Sequence, residues 1–225
     1  GAKIDKEKYG LKPVYDGQLL IKVLNLSVWS MLHAFISVAP WFLFFVAIEH
    51  LGKTELAISN ITRSVSAIFF VIANSFAVTT SSLVSNAIGA RARNELFPIC
   101  HKVLKLGYAV GIPFVVVALL CNRWIVSFYT DNELLIELAF APFVVMLLNY
   151  TFALPGYVYL NAVGGTGKTK ITFLFQVTTT CVYLVYLYWL SFCIKASLSL
   201  YLTAEYLFVI LLALQSIIHL KSKHY

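Results

Sequence analysis

Apolar positions along this chain fall in long blocks rather than short alternations. Six blocks are long enough to cross a bilayer, for which ~20 helical residues suffice. They run over about 17–47, 55–89, 103–126, 133–163, 171–190 and 198–220. The ten-residue alternations of a membrane β-barrel are absent. The pattern therefore predicts an all-α fold: an integral membrane bundle of six transmembrane helices over 17–220. A basic, polar linker (1–16) precedes it and a short tail (221–225) follows.

The second block is the most informative. At helical spacing Asn60, Arg63, Ser64, Asn74, Ser81 and Ser85 fall on one face, and Ile61, Val65, Phe69, Ile72, Phe76 and Leu83 on the other. An arginine at the centre of a crossing helix costs roughly 2.5–3.5 kcal/mol even on mild scales. The polar stripe is thus expected to face other helices or a water-filled cavity. Pro40 should kink the first helix, and Pro142 with Pro155 should break backbone bonds in the fourth, so that neighbours must satisfy the freed groups. His33, mid-way along the first helix, is either a proton relay or a packing residue. Arg63 and Asn74, then His33, Asn149 and Tyr150, are the residues expected to touch a substrate. The ten acids are read as lying in loops or near helix ends. Arg63 is accordingly expected to pair with an acid from outside the chain, or from a substrate, or to bond backbone carbonyls.

Composition agrees with membrane burial. The chain is 60% hydrophobic and 12% charged, where soluble domains carry about 25% charge. The net charge of +7 is read as basic loops rather than a nucleic-acid surface, so no nucleic-acid partner is expected. Thirteen Lys and Arg fall on one side of the six crossings and three (Lys53, Arg123, Lys195) on the other. By the positive-inside rule both termini are placed in the cytoplasm and the protein in the inner (plasma) membrane. The four cysteines show no paired spacing, and no metal pattern or nucleophile elbow occurs, so neither an enzyme nor a bound cofactor is expected. AVGGTGKT (162–169) approaches a phosphate-binding loop but has Ala162 where the first glycine belongs, and it joins two apolar helices rather than a strand and a helix. It is read as a glycine turn.

Three loops carry a resemblance. SNAIGARARNE (85–95), NAVGGTGKTK (161–170) and LGKTELAISN (51–60) resemble, at this spacing, the segments after the second and fourth helices and the first loop of one half of multidrug and toxic compound extrusion (MATE) transporters. The likeness covers the chain from about Gly17 onward. It implies two six-helix lobes, and the basic lead-in, which lacks an initiator Met, resembles the linker between them. The chain would then be the carboxy-terminal lobe, an excised piece of a longer protein, with the amino-terminal lobe, the lipid bilayer and a small organic substrate as partners. The resemblance further implies export of organic, often cationic, compounds such as drugs by alternating access, driven by sodium or proton entry. Some members place acids in the first and fourth helices of this lobe. Here those helices offer His33 with Ser37 and Asn149 with Ala153, so no sodium site is carried over. A lipid-linked oligosaccharide flippase of a related family and a non-transporting membrane fragment are the alternatives. On this reading Arg63→Ala is expected to abolish transport with little loss of folded protein.

Overall fold

The computed structural model describes residues 16–194 and 196–222, with only the backbone of Arg93, Cys193 and Ile194. The lead-in over 1–15, Lys195 and Lys223 lie outside these residues. Eight α-helices follow one another: α1 (Gly17–Ile48), α2 (Lys53–Gly89), α3 (Leu96–Leu120), α4 (Asn122–Ser127), α5 (Glu133–Leu148), α6 (Tyr150–Gly165), α7 (Thr169–Trp189) and α8 (Leu198–Ser222). No strand occurs among the described residues. Grouped by apolar length they make six candidate membrane spans, with α5 and α6 together forming the fourth. The all-α bundle of six crossings is therefore present as expected.

Helix starts and stops follow local chemistry. Asp16 caps α1 by accepting from the backbone N–H groups of Gln18 and Leu19 at 3.0 and 3.1 Å, and Asn132 caps α5 in the same manner. Gly52, at φ +132°, makes the tight turn into α2. Three boundaries differ from the expectation. The third crossing begins at Leu96 rather than near Val103, because Pro98 lies in the first turn, where its missing N–H had no intrahelical acceptor to lose. The same crossing ends at Leu120 rather than near Val126, and the residues from Asn122 to Ser127 form the separate short helix α4. Helix α8 runs through Ser222, so the first two residues of the expected tail are helical.

α6 is the hub, packing against α2 and α8. Glycines set these distances. A Cβ on Gly165 would lie 2.5 Å from the Ser81 carbonyl oxygen of α2, and one on Gly156 would lie 2.7 Å from the Val209 carbonyl oxygen of α8. Backbones approach this closely in membranes through small residues. The same logic corrects the facing of α2. Its buried arc carries mostly small or hydroxylated residues (Ser59, Thr62, Ser66, Ala73, Ala77, Thr80). Asn60 and Ser64 are exposed on the lobe surface instead of turned into the lobe, whereas Asn74 faces a cavity inside the bundle, Ser85 donates to the Gly165 carbonyl of α6 at 2.8 Å, and Arg63, at the edge of the arc, is buried.

Pro155 has no N–H for the carbonyl of Thr151, four residues back. The Tyr108 hydroxyl of α3 donates to that carbonyl at 2.7 Å. At the α5–α6 junction the Tyr206 hydroxyl of α8 donates to the Val145 carbonyl. Side chains from two neighbouring helices thus satisfy a broken crossing, as hydrocarbon surroundings demand.

Candidate functional site

An ion pair lies inside the bundle. Arg63 Nη2 of α2 donates to Glu205 Oε1 of α8 at 2.6 Å, and both side chains are buried. This corrects two expectations. The partner of Arg63 comes from this lobe, and Glu205 is not near a helix end: it stands seven residues into α8, about 10 Å along it at ~1.5 Å per residue. α6, held close to both helices by its glycine notches, brings α2 and α8 near enough for two long side chains to meet.

The surroundings of the two charges differ. The guanidinium carbon lies 4.0 Å from the ring centre of Phe44, 4.9 Å from Trp41 and 5.3 Å from Phe45, all on α1. Aromatic faces attract cations, so α1 sheathes the guanidinium. Arg63 Nε and Nη1 have no hydrogen-bond partner among the described residues. Glu205 accepts a second bond from the Tyr183 hydroxyl of α7 at 3.2 Å, and its carboxylate borders open space.

That space is a cavity of about 330 Å³ between α1, α2, α6, α7 and α8. Glu205, Asn74, Asn161, Gln176, His33 and Ser37 supply its polar wall, and Trp41, Phe70, Tyr157 and Phe208 its aromatic one. A mixed aromatic and polar lining with one charge suits a small organic molecule. A void of about 40 Å³ adjoins it through Trp41, Phe70, Tyr157 and Glu205. A further hollow of about 240 Å³ shares His33, Leu160 and Asn161 with the cavity and continues toward Gly164 and Thr169.

The expected site residues divide accordingly. His33 and Asn74 line the main cavity. Arg63 stands behind it, reaching it through Glu205. Asn149 and Tyr150 line the smaller void, and the Tyr150 hydroxyl is engaged, donating to the Gly107 carbonyl at 2.8 Å. Sequence reasoning missed Glu205, Tyr183, Gln176 and Trp41. For Glu205 a signal existed: an acid within the apolar run LSLYLTAEYLFVILL, residues 198–212, is the natural counterpart of the arginine in 55–89. Among the described residues no group of three His, Cys, Asp or Glu side chains converges as a metal site would require.

The MatE family model matches residues 30–190. The chain belongs to the MatE family. Comparison with curated protein sequences gives no match. Among solved structures the MatE lobe resembles a MATE in the bent conformation, with TM-score 0.77 and 18% identity over 88% of this chain and 44% of that one. It also resembles a multidrug resistance MATE family transporter of the MOP superfamily in its inward-facing conformation (TM-score 0.73, 19% identity, 91% and 46% covered). An outward-facing conformation of such a transporter matches equally (TM-score 0.72, 17% identity, 92% and 46% covered). The chain spans a little under half the length of these transporters, so it is similar to one lobe of them.

Proposed function

We propose that the chain is the carboxy-terminal lobe of a cation-coupled secondary transporter. The whole protein would export organic, often cationic, compounds such as drugs, by alternating access between this lobe and an amino-terminal partner. The observation that carries the reading is the Arg63–Glu205 pair at the edge of the 330 Å³ cavity. Ionisable groups inside membrane helices are expensive and mark pathways. Glu205 borders the cavity, and is held by the Arg63 guanidinium and the Tyr183 hydroxyl, a donor set that another cation can replace. An organic cation and a coupling proton or sodium ion would compete for this one carboxylate, which is the chemical requirement of antiport.

Two further findings support the reading. The lobe matches inward-facing and outward-facing structures about equally, as expected of a body that rocks without refolding. Lys22, Arg91, Lys102, Lys105, Lys168, Lys170 and Lys221 sit at one end of the bundle and Lys53 and Arg123 at the other. That asymmetry supports cytoplasmic termini in the plasma membrane.

The test is efflux by the full two-lobe protein with sodium and proton gradients imposed separately. Wild-type efflux should follow one gradient. Glu205→Gln, recovered as monodisperse protein, should lose gradient-driven efflux at least tenfold. Wild-type efflux with unchanged gradient dependence in Glu205→Gln would overturn the proposal.

A further inference from the structure

The glycine turn at 164–170 does not line the cavity around Glu205 itself, though its Gly164 and Thr169 reach the adjoining hollow, and it closes one side of a further cleft. This cleft, of about 450 Å³, lies where the start of α1 meets the start of α7. On α1 its wall is the stripe Lys22, Asn25 and Trp29, at helical spacings of three and four. On the other side stand Gly167, Lys168 and Lys170. Among the described residues Lys22, Lys168 and Lys170 border it. The acid nearest in sequence on α1, Asp16, is occupied as the helix cap.

The polar atoms are set for an anion with an apolar body. Lys170 Nζ sits over the Trp29 ring, 5.1 Å from its centre, and Trp29 packs edge-on against Phe173 at 5.5 Å. Trp29 Nε1 donates to Asn25 Oδ1 at 3.3 Å, which leaves the Asn25 amide nitrogen as the group it can offer a ligand. Helix α7 begins at this cleft with no side-chain cap, so its positive end adds to the lysines. Leu26 adds an apolar side chain to the cleft wall, and Leu174, one turn past Lys170 on α7, continues that surface deeper; both are about half exposed. A lysine layer above an interfacial tryptophan, with alkyl surface beneath, matches the depth profile of a phospholipid.

We propose that this cleft binds the phosphate headgroup of an anionic phospholipid, with its acyl chains along the α1–α7 seam. The phosphate sits between Lys22 and Lys170 and accepts from Asn25. The site joins the loop between α6 and α7 to α1, and it requires no transported substrate.

The experiment uses the full transporter in nanodiscs and native mass spectrometry. Retention of phosphatidylglycerol is measured against phosphatidylcholine. Wild-type protein should retain phosphatidylglycerol preferentially. Each lysine near a membrane surface contributes on the order of a fivefold preference, so Lys22→Gln with Lys170→Gln should weaken retention roughly twenty-five-fold. Lys102→Gln with Lys105→Gln, on exposed positions of α3, removes the same charge outside the cleft and should change retention less than about twofold. Equal loss in both double variants, or equal retention of phosphatidylcholine, would overturn the proposal. So would displacement of the lipid by inorganic phosphate at tens of millimolar, which would make the cleft a free-anion site. Should the double variant not fold, the exposed single change Lys22→Gln decides by the same comparison.

Discussion

The Arg63 guanidinium makes one hydrogen bond among the described residues and is wrapped on α1 by Trp41, Phe44 and Phe45, so its counter-charge, not solvent, holds it. Removing one member of a buried pair strands the other at a cost of about 3–5 kcal/mol, whereas replacing both by apolar groups of similar volume is often neutral. The paired geometry therefore argues against Arg63→Ala leaving the folded protein nearly intact. It should lose several kcal/mol because Glu205 remains buried beside Tyr183. Arg63→Met with Glu205→Leu should recover most of that loss while remaining inactive. Unfolding in detergent across the four members of the cycle measures it, and a coupling energy below about 1 kcal/mol would refute a tight pair.

Within single elements, the fourth crossing shows how a membrane helix tolerates proline. The Tyr108 hydroxyl stands in for the backbone donor that Pro155 lacks. Tyr108→Phe should cost about 0.5–1.5 kcal/mol, the net value of one such bond. In a Pro155→Ala background the helix recovers its own N–H, and the same change should cost less than half as much. Thermal unfolding of the four variants reads this directly. Elements of this size were legible in the sequence: runs of apolar residues set six crossings because hydrocarbon thickness fixes their length. The prolines announced broken backbone bonds but not their new partners, since Tyr108 lies 43 residues from Thr151. The candidate site was half legible for the same reason. Arg63, His33 and Asn74 stand out as polar groups in apolar runs, whereas the Arg63–Glu205 pair spans 142 residues. No periodicity links two charges that far apart; only the close packing of α6 against both helices does. The facing of α2 was misread in part because its buried arc joins small residues such as Ala73 and Ala77 to Ile61, Val65 and Phe69 of the apolar face.

At the scale of the whole molecule, α2 presents a second seam to the outside. Ser64, Ile68, Val71, Ser75, Val78, Ser82 and Ser85 are exposed and recur at alternating steps of four and three. That is the spacing by which one helix packs along another, and its serines permit close approach. Ser64, Ser75 and Thr79 turn their hydroxyls back onto carbonyls one turn earlier, which limits their cost when no partner is in contact. A face of this kind suits a surface that meets another lobe and parts from it. In a background lacking the four cysteines, Ser75→Cys in the two-lobe protein should react with a charged, membrane-impermeant maleimide at a rate that shifts severalfold when the coupling gradient is imposed. Val116→Cys, on the exposed apolar side of α3, should remain inert throughout, because a charged reagent does not enter hydrocarbon. Were Ser75→Cys unreactive with and without the gradient, the seam would be a permanently packed contact. The lobes would then have to separate along another face, and α1, whose outer side is apolar from Leu19 to Phe42, would be the helix left to form it.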